Sequence, residues 1–301
     1  MFKMTLKHQQ RLIIVSFLTI PLILLFTFSY YPASQLFYIS VTDWDGYAPV
    51  KEYVGFDNYV ELLEENPFTS DDAPLHSLLV CGYYCVGAVI QLCLALWFAV
   101  LINTKLMGHN LFKTLIFIPF VLNSVAASMV FQIFYQVDGA LDSFLKAIGL
   151  SDLIVSQGWL MNSSVVNWAL VAASIWRYLG FNLILFYGIL QSIPQDQYEA
   201  AKIEGANEWQ QFRYITLPSI KMVFGLQILL AFVGSLSVFE IPYIITKGAN
   251  GTKTFVMSTI ENAFNFNNFG LASAMAVILL VIVIFFMIIQ NLLFGEKKGG
   301  R

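Results

Sequence analysis

Charged side chains are scarce. Asp, Glu, Lys and Arg together make 12 % of the 301 residues, about half the share of a soluble globular domain, and this excludes a globule covered on all sides by water. Histidine and cysteine are nearly missing, with three of each. Cys81, Cys85 and Cys93 fall in one apolar run that has no His or acidic residue, which argues against a zinc cluster and a disulfide framework. Cys81 and Cys85 share a helix face and read as small packing residues. There is no evident Ser–His–Asp set, metal cluster or Gly-rich dinucleotide loop. The nearest approach to a phosphate loop, Gly248 to Thr254, has Thr252 in front of Lys253 where the motif needs Gly. The chain is therefore expected to hold no catalytic group, no metal and no nucleotide of its own.

Apolar residues are abundant instead, at 58 %, and they gather in long runs between short polar stretches. Crossing about 30 Å of hydrocarbon takes about 20 helical residues. Six runs reach that length: 12–31, 78–102, 114–135, 166–190, 222–246 and 271–294. Backbone groups in lipid must be satisfied inside their own segment, so runs this long are helices. The expected fold is all-α, a polytopic transmembrane bundle of six spans. The first run is longer than the apolar core of about 7–15 residues in a signal peptide and reads as an uncleaved anchor. Pro21, Pro119 and Pro242 lie within spans, and each favours a kink.

Basic residues set the orientation. With loops assigned alternately, one side has Lys3, Lys7, Arg11, Lys105, Lys113, Lys202, Arg213, Lys221, Lys297, Lys298 and Arg301, eleven in all, against four on the other, Lys51, Lys146, Lys247 and Lys253. Both termini are expected in the cytoplasm. The first outer loop, about residues 32–77, is acidic through Asp43, Asp45, Glu61, Glu64, Glu65, Asp71 and Asp72. It also carries Trp44, Tyr47, Tyr53, Phe56 and Tyr59 and an amphipathic stretch from Tyr59 to Glu65. It reads either as an interfacial helix with aromatic anchors or as a docking cap for an outer partner. The second outer loop has a helical stretch from Leu141 to Ile148, closed by Gly149.

The loop 191–221 reads QSIPQDQYEAAKIEGANEWQQFRYITLPSIK. Pro194 suits a first helical turn, and Asp196 and Glu199 complement its positive end. Gly205 permits a sharp bend. A second helical stretch, about residues 207–215, is expected to end before Pro218. Two short helices at an angle then lie on the cytoplasmic face. Their mixed apolar and charged surface is of the kind that meets a protein or rests on lipid headgroups. Lys202, Arg213 and Lys221 are offset by Asp196, Glu199, Glu204 and Glu208, which disfavours anionic lipid.

Glu199-Ala200-Ala201, then Gly205-Ala206 three residues on, Phe212 and Thr216-Leu217-Pro218 resemble the EAA loop of bacterial ATP-binding-cassette (ABC) importer permeases. Glu204 stands where members often carry Asp. Ser40-Val41-Thr42-Asp43-Trp44 and Val54-Gly55-Phe56-Asp57-Asn58-Tyr59 resemble the first outer loop of the carbohydrate-type permeases. Gly108 with Leu111 to Pro119 is similar to the start of their third core helix, and Trp176, Gly180-Phe181-Asn182 and Gln191-Ser192-Ile193-Pro194 also fit. Where the family usually has Gly-Gly-Pro after the fifth span, this chain has Gly248-Ala249-Asn250.

The resemblance implies a membrane-spanning permease subunit of an importer for a sugar or oligosaccharide, in the bacterial cytoplasmic membrane. It implies a second related permease, two cytoplasmic ATP-binding subunits that hold ATP and Mg, and an extracellular solute-binding protein, with lipid around the spans and no nucleic acid. In that family the loop is the coupling helix that docks in a cleft on the ATPase. Glu199, Ala200, Ala201, Gly205, Ala206, Phe212, Leu217 and Pro218 are its counterparts here. Residues 1–77 are expected to form an anchor span with its outer loop, and residues 78–301 the core that contains the coupling loop.

Inside the membrane, Arg177 and Glu240 are the two charges. A charge in the bilayer core costs about 2.5–3.5 kcal/mol on insertion scales, so both should face protein or water. They can pair as structural glue or line a solute path. Asn123, Ser128 and Gln132 fall in the third span, Ser174 and Asn182 in the fourth, Ser235 and Ser237 in the fifth. Trp176, Tyr178, Phe181 and Phe239 offer aromatic faces. A sugar needs such donors, acceptors and faces, while small polar residues in membrane helices equally serve packing. Two other classes remain: an ion-driven secondary transporter of a small polar solute, and a membrane-embedded enzyme. The first often shows an inverted repeat, which is not evident. The second needs paired catalytic groups at one depth, which Arg177 and Glu240 alone do not make.

Overall fold

The structure, a computed structural model, describes residues 6–64, 73–103 and 108–295. The expectations placed on Lys3, Glu65, Asp71, Asp72, Lys105, Lys297, Lys298 and Arg301 lie outside the described residues. In chain order, α1 (Leu6–Leu25) passes through a π turn (Phe26–Tyr30) into α2 (Tyr31–Ile39). β1 (Thr42–Asp43) pairs antiparallel with β2 (Glu52–Tyr53), and α3 (Asp57–Glu64) follows. Then come α4 (His76–Asn103), α5 (His109–Val121), α6 (Ser124–Phe134), α7 (Ala140–Ala147) and α8 (Val166–Leu190). The loop helices α9 (Gln195–Ile203) and α10 (Glu208–Gln211) lead through a second π turn (Phe212–Thr216) into α11 (Leu217–Leu236). The described chain closes with α12 (Glu240–Ile245), α13 (Phe255–Phe264) and α14 (Phe269–Phe294). Among the described residues, five helical runs are long and apolar enough to cross a membrane, and the bent pair α5–α6 makes a sixth if counted as one span.

The two π turns correct two expected boundaries. The first helix was expected to end at Tyr31 and the loop helix before Pro218, yet both run on. A proline ring clashes with the carbonyl four residues back. In each case a five-residue π turn stands directly ahead of the residue before Pro: Tyr31 N–H donates to Phe26 O, and Leu217 N–H donates to Phe212 O. The wider coil makes room for Pro32 and Pro218 and the helix continues.

The chain forms two compact units, Met1–Glu64 with Thr259–Leu279 and Glu65–Ser258 with Leu280–Arg301. In the first, α1 buries none of its apolar window, with Phe17 and Ile20 open to the surroundings. Such a helix needs lipid or another chain against it. Buried Asn58 donates through Nδ2 to Ser40 O at 2.9 Å and Thr42 O at 3.0 Å, and Tyr59 Oη donates to Ser40 Oγ at 2.8 Å. These bonds pin α3 to the turn after α2. The Ala48 and Tyr47 amides donate to Asp45 and hold its carboxyl below the usual carboxylate range. Lys51 Nζ sits 4.1 Å over the Trp44 ring, a cation–π contact.

In the second unit, α4 and α8 form the centre. Leu92, Ala95, Ala99 and Ile102 of α4 pack on Leu183, Phe186 and Leu190 of α8 and Ile220 of α11. Nearer the other end, Val80 and Tyr84 meet Leu170, Val171 and Ala173, with Ile241 and Ile245 of α12. Apolar surface gains little by leaving lipid, so van der Waals packing carries this contact. Gly87 faces the Val171 side chain with no space for a Cβ.

The third and fifth spans are not continuous. α5 and α6 meet at 97°. Pro119 removes one helical bond, Leu122 is extended, and Asn123 starts a new helix by accepting from Val125 N–H at 2.9 Å. A side chain that caps in this way competes with helix continuation. The fifth span breaks between Leu236 and Glu240, with Ser237 as the last cap. Pro242 was expected to kink the span from inside. It lies instead in the first turn of α12, where an N–H has no helical partner to lose. Thr254 Oγ1 donates to Val238 O at 2.7 Å, so part of the opened backbone is satisfied by protein, as membrane depth requires.

Candidate functional site

The break in the fifth span matters because it opens into a cavity of about 540 Å3. One face of α8 supplies Ser174, Tyr178, Phe181 and Asn182, spaced at helical i, i+4, i+7 and i+8. From α4 come Tyr84, Gly87 and Gln91, and α5 adds Phe120. The end of α11 and the break contribute Ser235, Ser237, Phe239 and Glu240. Phe120 stacks on Phe181 with ring centroids 4.7 Å apart and lies 6.1 Å from Tyr178. Asn182 and Gln91 are buried at 8 % and 7 % exposure, and Tyr84 Oη is buried without a hydrogen-bond partner. Aromatic faces beside amides and hydroxyls form the pattern of a polar-ligand pocket.

Of the residues singled out from sequence, Ser174, Tyr178, Phe181, Asn182, Ser235, Ser237, Phe239 and Glu240 line this cavity. The α5–α6 bend places the third-span residues elsewhere. Asn123 caps α6, Ser128 is buried at 2 % with its Oγ unpartnered, and Gln132 Nε2 donates to Ile245 O at 3.3 Å. Trp176 stands edge-on to Phe131 at 5.1 Å. Arg177 Cζ lies 5.4 Å from the Tyr178 ring centre, and its Nε and Nη1 are buried without partners. Among the described residues no ion pair joins Arg177 to Glu240, whose side chain is exposed. Tyr84, Gly87, Gln91 and Phe120 were missed. The α4 residues lie on a helix apolar all round, and no short motif marks them.

The loop 191–221 has its bend where Gly205 stands. Gly205 takes φ +84°, a left-handed conformation that Gly adopts without penalty. Ala206 N–H donates to Ala201 O at 2.9 Å and Gly205 N–H to Lys202 O at 3.0 Å, the paired bonds of a Schellman motif. Asn207 and Gln210 then form a reciprocal capping box that starts α10. Gln211 Nε2 ties back to Ala206 O at 2.8 Å, and the Tyr198 and Thr216 hydroxyls share a bond of 2.9 Å. Glu199, Ala200, Gly205 and Pro218 are exposed, whereas Ala201, Ala206, Phe212 and Leu217 are half-buried. Ile203, Trp209 and Tyr214 are exposed at 88 %, 69 % and 76 %. Apolar groups this open mark an interaction surface.

The model of the binding-protein-dependent transport system inner membrane component family matches residues 91–296. The chain belongs to this family. It is 30 % identical over 296 residues to a probable ABC transporter permease protein of Bacillus subtilis, covering 97 % of this chain and 99 % of that one. It is 29 % identical to a trehalose/maltose transport system permease protein of Thermococcus litoralis, over 92 % of this chain and 90 % of that one. A solved bacterial ABC transporter involved in the import of the acidic polysaccharide alginate superposes with a TM-score of 0.79 at 20 % identity, covering 97 % and 98 % of the two chains. That likeness shows the fold. The permease is thus a multi-pass, non-enzymatic membrane component of an importer.

Proposed function

We propose that this permease passes a sugar or oligosaccharide through the cavity between α4, α8 and the α11–α12 break. The solute is handed over by an extracellular binding protein, and the work is done by ATPases that grip the bend at Gly205. The cavity carries the reading: Phe120, Tyr178 and Phe181 supply faces for a pyranose ring, and Gln91, Asn182 and Ser174 supply hydrogen bonds. The trehalose/maltose relative and the alginate transporter support a carbohydrate cargo. A second, related permease and two ATP-binding subunits with ATP and Mg complete the assembly. Both termini lie in the cytoplasm, with residues 1–77 as anchor and 78–301 as the core.

At the bend, Glu199, Ala200 and Gly205 present the contact surface together with Ile203 and Trp209. Ala201, Ala206, Phe212 and Leu217 hold the two helices in shape, and Pro218 sits at the root of α11. Closure of the ATPases moves α9 and α10, and the π turn passes that movement to α11 and so to the cavity wall. The test is oligosaccharide uptake by the complete transporter in proteoliposomes. Asn182→Leu removes a buried hydrogen-bonding group worth about 1–3 kcal/mol and should lower uptake roughly tenfold or more, with the ATPase still attached. Uptake at the full rate in both Asn182→Leu and Phe120→Ala places the solute path elsewhere.

A further inference from the structure

One cavity residue stands apart in charge. Every residue lining the pocket other than Glu240 is neutral, and no Lys, Arg or His is among them. Glu240 is the first residue of α12, directly after the break, and is exposed. The nearest cation along the α8 wall, Arg177, is not part of the lining and makes no ion pair with it among the described residues. A carboxylate with no cation beside it in the lining repels a negatively charged solute that enters the pocket and does not repel a neutral one. Its two oxygens accept hydrogen bonds from sugar hydroxyls or from an ammonium group and donate none.

We infer that Glu240 is a specificity-determining residue that restricts the cargo to sugars without negative charge, excluding uronates and sugar phosphates. This rests on the carbohydrate reading of the cavity and narrows it. The alginate importer shows that the same fold can serve an acidic polysaccharide, so charge selection must come from side chains and not from architecture. Here the lining has the wrong sign for an acid.

The test uses the purified permease–ATPase assembly without binding protein, so that the receptor's own selectivity is out of the measurement. Binding of maltotriose, a glucosamine trimer and a galacturonate trimer is followed by calorimetry. The neutral and amine-bearing trimers should bind at least about tenfold more tightly than the acidic one. Glu240→Gln should bring the three within about twofold of each other, and Arg177→Gln should leave the original ranking in place. Equal binding of the acidic trimer by the unsubstituted assembly overturns the proposal. So does a ranking that survives Glu240→Gln or collapses in Arg177→Gln. Phe120→Ala separates the two readings: it should weaken all three trimers if the cavity is the sugar site. If it does while Glu240→Gln changes nothing, the cavity stands and the charge filter falls. No binding of any trimer overturns both.

Discussion

At the bend around Gly205, the bonds that set the shape join near neighbours. Gly205 to Lys202, Ala206 to Ala201, Gln211 to Ala206 and the Asn207–Gln210 pair all span five residues or fewer, and Tyr198 with Thr216 is the one longer tie. The cavity wall is built the other way. Its surroundings are joined by contacts such as Cys81 to Leu236, 155 residues apart, Gln132 to Ile245, 113 apart, and Asn167 to Gly251, 84 apart. The bend is made from local geometry, which fixes its shape within the segment itself. The cavity is made from helix-to-helix contacts, which depend on how separate helices sit against each other. The difference teaches that substitutions in the two places should fail in different ways.

The largest effect is expected where α5 crosses α8. Gly180 is buried, and a Cβ there would press on the Ile116 carbonyl and lie 2.7 Å from Phe117 Cα. Backbone cannot yield as a side chain can, so Gly180→Val should destabilise by about 3 kcal/mol or more. The yield of folded, monodisperse protein in detergent should fall sharply. A normal yield and unchanged melting temperature would mean that α5 moves freely over α8 and that the cavity wall is not fixed there.

Next comes Gly205→Pro. Proline holds φ near about −65°, against +84° at this bend, and it removes the N–H that meets Lys202 O. Membrane insertion and sugar binding should survive, while ATPase attachment and uptake are lost. Capture of the ATPase by tagged permease reads the first and vesicle uptake the second. Retained attachment with normal uptake removes the bend from the coupling role. The contrast with Gly180→Val is the point: one change should disturb the fold and leave no sound pocket, the other should leave a sound pocket with no drive.

These cases also show why some features were legible and others not. Pro194, Gly205 and the polar start of α10 speak through short-range rules, so the helix–bend–helix was readable at once. The long apolar runs announced the spans for the same reason. What sequence concealed was continuity. Asn123 looked like a polar lining residue and is a helix cap, because capping depends on which residue leaves the helix first. Pro218 looked like a stop and is carried by a π turn, because a five-residue widening leaves no mark in composition. Gln91 and Tyr84 sat unnoticed in α4, where every face is apolar enough to hide a lining stripe. Arg177 and Glu240 invited pairing by charge alone, yet among the described residues no ion pair joins them, and Glu240 lies in the cavity lining after the break before α12.

The smallest effect sharpens the comparison furthest. Asn207→Ala removes the side chain that accepts from Gln210 N–H and, with it, half of the capping box. Loss of such a cap costs about 1 kcal/mol. Gly205 keeps its conformation and both Schellman bonds, so the angle between α9 and α10 should persist while α10 frays. Sugar binding should be unchanged, ATPase attachment only slightly weaker, and transport per ATP hydrolysed measurably lower, by a factor of about two to five. A loss as complete as that of Gly205→Pro would show that the rigidity of α10, and not the bend, carries the push. No change in coupling ratio would show that α9 alone makes the contact, with the force entering α11 through Tyr198 and Thr216.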